Sequence, residues 1–143
     1  MLSRVDLIEY DRKLKPIIEI KSILKELNMG VVTNVTNAYQ KCIDACGRCA
    51  QACNECFEAC LNEADVNART KCIKMLVECA RMCEMSVSGM SSNANFAKDH
   101  CKLCATVCDA CAQECTMFKD QHCQQCAQEC RTCAEECRNM SGM

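Results

Sequence analysis

The chain contains no Trp, and only 3% of its residues are aromatic, so a nucleic-acid surface built on base stacking has nothing to be made from. A formal charge of -2 supplies no basic footprint for a phosphate backbone either. With one Pro and four Gly in 143 residues, sharp reversals are few. No segment alternates apolar and polar residues in the manner of a strand. Continuous apolar runs long enough to span a membrane are missing. The first residues, Met1 to Leu14, mix Arg4, Asp6, Glu9, Asp11, Arg12 and Lys13 among apolar side chains, unlike the apolar stretch of a signal peptide. The expected compartment is therefore the cytoplasm, where thiols stay reduced. No Glu-x-x-His motif occurs, which argues against a di-iron carboxylate bundle enzyme. What remains is one domain's length of helix-forming sequence.

What the chain has in excess is cysteine, nineteen in all. Sixteen fill three ladders whose step alternates between three and four residues. The first is Cys42, Cys46, Cys49, Cys53, Cys56 and Cys60. The second is Cys101, Cys104, Cys108, Cys111 and Cys115, and the third is Cys123, Cys126, Cys130, Cys133 and Cys137. Such a rhythm averages about 3.5 residues, the inward seam of a helical bundle. Thiols therefore stand where a bundle ordinarily carries Leu or Ile. An odd number of cysteines forbids complete internal pairing, and neighbours on one helical face point the same way, which suits disulfides poorly.

The pattern predicts an all-α fold: an antiparallel up-down-up-down four-helix bundle with an additional N-terminal helical segment. Residues 1–30 form the cysteine-free accessory segment and 31–143 the cysteine-lined bundle. In the accessory segment Ile17, Ile20, Leu24 and Leu27 repeat the seam spacing with aliphatic side chains. Pro16 suits a first helical turn, Gly30 suits a C-terminal cap, and a shorter helix is expected before it around Ser3 to Lys13. The segment is expected to pack on the bundle or on a second subunit.

The first bundle helix is expected from about Asn34 to Leu61, with Val35 and Tyr39 extending the ladder backwards. A turn over Asn62 to Asn67 follows, then a second helix from about Ala68 to Val87 carrying Cys72, Leu76, Cys79 and Cys83. Ser86 to Asn93 reads as the clearest loop. The third helix runs from about Ala94 to Phe118. After a reversal with Asp120 as N-cap, the fourth ends near Asn139. Antiparallel threading stacks the thiols in layers: Cys60, Cys72, Cys115 and Cys123; then Cys56, Leu76, Cys111 and Cys126; then Cys53, Cys79, Cys108 and Cys130; then Cys49, Cys83, Cys104 and Cys133. Cys46, Cys101 and Cys137 follow, with Cys42 and Met140 beyond.

Pure packing is a poor account of this core, because a thiol fills less volume than leucine. Thiolates favour Cu(I), zinc and iron–sulfur clusters. A Zn(Cys)4 site carries charge -2, and several of them in one low-dielectric tube would be costly. Cu(I) ions that share bridging thiolates can instead reach a neutral composition, one copper replacing each proton. C-x-x-x-C pairs such as Cys49/Cys53 and Cys133/Cys137 place two sulfurs one turn apart on one face, fit for two-coordinate Cu(I). A general soft-metal (zinc) thiolate buffer and an iron–sulfur or redox protein stand as alternatives. Ferredoxin ligands, however, usually lie on loops around a compact cluster. At one bundle end His122 directly precedes a ladder cysteine, with Asn62 and Asp65 in the opposite turn; these polar groups are candidate metal residues at a mouth. At the other end lie His100, Met85, Met90 and Met140.

C-x-x-x-C pairs lining a bundle core from Cys42 to Cys137 resemble the bacterial cysteine-rich four-helix-bundle copper storage proteins. The resemblance implies reversible storage of multiple Cu(I) ions per chain, without turnover, for storage or detoxification. It also implies a homotetramer and membership of the cytosolic branch, where the mouth is similarly polar and bears imidazole. A copper chaperone or a copper-requiring apo-protein would then be the protein partner, with no role for nucleic acid or membrane. The second helix departs from the pattern, having one C-x-x-x-C pair and Leu76 in the seam.

Overall fold

A computed structural model describes residues 3–33, 35 and 37–142. Among these are five α-helices, one 3-10 turn and no β-strand. The chain divides into two compact units between Gln40 and Lys41.

In the first unit, α1 spans Arg4–Leu27 without interruption. Its start is a reciprocal capping box. Asp6 Oδ2 accepts from the Ser3 N–H at 2.9 Å, and Ser3 Oγ accepts from the Asp6 N–H at 3.2 Å. This corrects the expectation of two helices divided at Pro16, which lies inside α1. A proline there forfeits one hydrogen bond, but the capped start and the run of Leu, Lys, Ile and Glu carry the helix through it. Gly30 is not its cap. Asn28 occupies that position, its side chain donating to the Leu24 carbonyl at 3.0 Å. No residue of α1 is buried, so Ile17, Ile20, Leu24 and Leu27 present an exposed aliphatic stripe.

The second unit is the four-helix bundle. Its first helix, α2, covers Gln40–Leu61 and begins later than the ladder rhythm suggested. Val35 is exposed and outside the helix, and Tyr39 precedes it as well. The cause is local: Asn37 Oδ1 accepts the Tyr39 N–H at 2.9 Å, a side-chain turn that starts the helix here. The expected start at Asn34 lies outside the described residues. The turn after α2 ends in the 3-10 segment Val66–Arg69, and α3 runs Thr70–Ser91.

The loop expected over Ser86 to Asn93 is mostly helix. Ser86 is fully buried and its hydroxyl donates to the Met82 carbonyl at 2.9 Å, while Met90 contributes a buried side chain. The chain leaves the helix only at Ser92, and Asn93 takes the left-handed conformation, φ 51°, which asparagine tolerates better than most residues.

Helices α4, Ala97–Thr116, and α5, Gln121–Ser141, complete the bundle. Gly142 closes α5 in the left-handed region at φ 75°, a cap that requires no side chain. Helix α4 packs against both α3 and α5. Ala105, Ala112, Ala127 and Ala134 are buried, the small side chains that let helices approach closely. Apart from Leu76, Met90, Val107 and a set of alanines, the buried apolar core is cysteine.

Candidate metal centre

All nineteen cysteines are buried and none is in a disulfide. Their inward direction follows from the seam spacing on four helices. Neighbouring sulfurs stand at van der Waals and S–H···S distance rather than at the bonding distance of about 2.05 Å. Cys133 and Cys46 approach to 3.4 Å, Cys46 and Cys137 to 3.6 Å, and Cys49 and Cys130 to 3.6 Å.

The flat layers read from the sequence become a staircase. Within the expected groupings, Cys60 meets Cys123 at 3.8 Å, Cys72 meets Cys115 at 3.8 Å, Cys79 meets Cys108 at 3.7 Å and Cys83 meets Cys104 at 3.7 Å. The α2 sulfurs, however, lie between those of α5. Cys53 touches both Cys126 and Cys130, and Cys46 touches both Cys133 and Cys137. Cys56 reaches Cys123 at 3.8 Å. This stagger joins adjacent layers into one continuous column. Several groups have all their sulfurs within 4.8 Å of one another, among them Cys49, Cys83, Cys108 and Cys133, and Cys49, Cys53, Cys79 and Cys130. Cys42, Cys101 and Cys137 form another at the far end.

The column has little charge around it. Arg69 and Ser86 are its only buried polar or charged companions among the described residues. A thiolate inside therefore needs a proton or a metal cation for neutrality. Burial, followed by the neighbouring Cys60, pushes the Cys123 thiol up to about 12. Cys101 is likewise pushed up to about 12, chiefly by its hydrogen bond with Cys137. Deeper in, hydrogen bonding splits neighbours: Cys79 is held down by Cys108, while Cys108 is pushed up first by Cys104. Thiols coupled in this way titrate as a set.

At the α2–α5 end the predicted mouth residues take different positions. His122 is half-buried, with Nδ1 3.5 Å from Cys56 Sγ and 3.4 Å from Cys123 Sγ. Its Nε2 lies 3.0 Å from Glu63 Oε1. An ionised carboxylate only accepts, so Nε2 carries the hydrogen in the neutral ring and the Nδ1 lone pair faces the sulfurs. Cys56, Cys60, His122 and Cys123 form one of the close-donor groups. Asp65 accepts from Arg69 Nε at 2.6 Å. Asn62 turns away, its Nδ2 donating to the Glu58 carbonyl at 2.9 Å.

Sequence reasoning missed Glu63, Arg69 and Asp120 here. Asp120 stands at the N-cap position of α5 but makes no side-chain cap hydrogen bond, pairing with Arg69 at 2.7 Å instead. At the other end Met90 is buried, whereas Met85 is exposed. On the flank between α2 and α5, a groove of about 550 Å³ lined in part by Arg48, Glu55, Glu129 and His122 extends to Cys56 and Cys126.

A helical bundle whose core is a column of reduced thiols is, by donor chemistry, a soft-metal binder. The particular family follows from comparison: the model of the copper storage protein family matches residues 35–142, and the chain belongs to that family. The Cu(I)-bound copper storage protein BsCsp3 is 44% identical, aligns over 72% of this chain and 97% of its own, and superposes with a TM-score of 0.70. The Streptomyces lividans copper storage protein Ccsp, loaded with 10 copper equivalents, is 33% identical over 86% of this chain and 98% of its own, with a TM-score of 0.72. An uncharacterized cysteine-rich protein of Bacillus subtilis, YhjQ, is 44% identical over 76 residues, 53% of this chain and 70% of that protein.

Proposed function

We propose that this chain stores Cu(I), taking many ions onto the thiolates of its core and releasing them again, as a binding protein without turnover. The observation that carries the reading is the continuity of the sulfur column together with the absence, among the described residues, of any buried cation other than Arg69 at one end. Two-coordinate copper on private thiol pairs would leave one buried negative charge per ion, whereas bridging thiolates approach neutrality. In this reading the ligands are the nineteen cysteines, with His122 as an imidazole donor at the Cys56, Cys60 and Cys123 end and Asp65 beside it. The protein works in the cytoplasm as a homotetramer and exchanges copper with a chaperone or a copper-requiring apo-protein.

Anaerobic titration of the reduced protein with Cu(I), followed by metal analysis, tests the reading. Private pairs on nineteen cysteines allow no more than about nine ions, so the expected saturation lies well above that, toward about one per cysteine. Saturation at nine or fewer ions would reject the bridged core. Loss of bound copper to equimolar zinc would instead favour the general soft-metal buffer.

A further inference from the structure

Among the described residues Arg69 is the one charged side chain that is buried. Its guanidinium is held on four sides. Nε donates to Asp65 Oδ1 at 2.6 Å, a terminal nitrogen lies 2.7 Å from Asp120 Oδ2, and the Phe118 ring lies beneath it, 4.6 Å from the guanidinium carbon to the ring centroid. That terminal nitrogen is Nη1, and its second hydrogen turns inward, shared between Cys123 Sγ at 3.6 Å and Cys60 Sγ at 3.9 Å. Those two sulfurs belong to the close-donor group at this end of the column.

We propose that Arg69 is a stopper on the thiol column, which copper displaces on its way to or from Cys60 and Cys123, so that it sets the rate of copper exchange but not the capacity. The proposal rests on the storage reading above. Each N–H···S contact occupies a sulfur lone pair that an incoming ion needs, and a cation arriving there meets a fixed positive charge at short range. The way out is already built. Asp65 and Asp120 are 51% and 29% exposed, so a guanidinium that swings outward keeps its carboxylate partners and regains water. Inward, it is paired well enough to survive burial; outward, it uncovers the sulfurs.

The test measures transfer of Cu(I) between the reduced protein and a chromophoric Cu(I) chelator, in both directions, beside total capacity. Arg69→Ala is expected to speed both directions by about tenfold or more, the scale of losing charged hydrogen bonds, with capacity unchanged. Asp120→Asn, which removes one of the two carboxylate partners, is expected to give a smaller acceleration. Millimolar guanidinium sulfate should restore slow exchange in Arg69→Ala by refilling the vacated site, whereas general loosening of the bundle, on which so little guanidinium has almost no effect, would show no such rescue. Unchanged or slower exchange in Arg69→Ala, or acceleration without rescue, would overturn the stopper. If Arg69→Ala does not fold, Asp120→Asn decides, and exchange no faster than wild type overturns it. Wild-type protein that takes up no copper would instead remove the storage reading itself.

Discussion

The two ends of the sulfur column are built from the same cysteine rhythm and closed by opposite means. At the α2–α5 end, Cys60 and Cys123 lie under Arg69, with Asp65, Asp120, Glu63 and His122 around them. At the other, Cys42, Cys101 and Cys137 converge, and along the α3–α4 connection leading to Cys101 the buried side chains, Met90 and Ala97, are apolar. A charged closure loses little when it opens, because its groups gain water as they part. An apolar closure loses its burial energy and gains nothing in return. The contrast teaches that access to a column of identical ligands is set by what covers its ends.

The largest expected effect concerns the column common to both ends. In the apo protein, Cys123 and Cys101 are pushed from an ordinary value of 9.0 up to about 12. Between those values the native state holds protons that the unfolded chain has released. Stability is therefore fully present below pH 9 and declines as pH rises toward about 12. Copper loading removes the same protons beforehand. Thermal unfolding of the reduced apo protein is thus expected to fall by on the order of 10 °C or more between pH 8 and pH 11, while the copper-loaded protein shifts far less. Scanning calorimetry under anaerobic conditions checks both. Parallel curves for the two forms would mean that the buried thiols do not carry this linkage.

A smaller effect separates the ends directly. Met90 is 1% exposed, and truncating a buried methionine costs about 2–5 kcal/mol through lost transfer energy and an unfilled cavity. Met90→Ala should lower urea stability by about 3 kcal/mol on that scale. Arg69→Ala should cost less, because Asp65 and Asp120 are already part-exposed and regain water. The reverse ranking would show that the charged end is the more tightly sealed of the two.

The division between legible and illegible features follows the same line. The seam spacing marks positions that face inward on any helix, so the bundle and the thiol column could be read from residue intervals alone. Helix limits depend on single hydrogen bonds that spacing does not encode. Asn37 starts α2 after Tyr39, and Ser86, read as a loop residue by composition, bonds to the Met82 carbonyl and stays helical. Pro16 sits within α1 because the capping box begins the helix earlier. The charged cover was hidden for another reason. An arginine in a polar turn ordinarily reads as solvated, and Arg69 is buried where the chain brings Asp120, Phe118 and Cys123 to it from distant positions, beside Cys60 nine residues before it. His122 was readable because it adjoins a ladder cysteine, but its orientation depends on Glu63 across the turn.

The smallest expected effect tests which polar groups at the open end matter. Asn62 shares the turn with Asp65 and is a mouth candidate on sequence grounds, yet its amide donates to the Glu58 carbonyl at 2.9 Å and to Glu58 Oε1 at 3.3 Å. Both bonds lie on an exposed surface, where a single hydrogen bond contributes about 0.5–1.5 kcal/mol at most. Asn62→Ala is accordingly expected to change stability by less than about 1 kcal/mol and to leave transfer of Cu(I) to a chelator at the wild-type rate. His122→Ala, which removes the Nδ1 beside Cys56 and Cys123, is expected to slow that transfer while most capacity remains. Equal slowing by the two substitutions would place Asn62 on the copper path and require its side chain to leave Glu58 during transfer. A change with His122 alone would assign the path to the imidazole side of the turn, where the sulfurs are nearest.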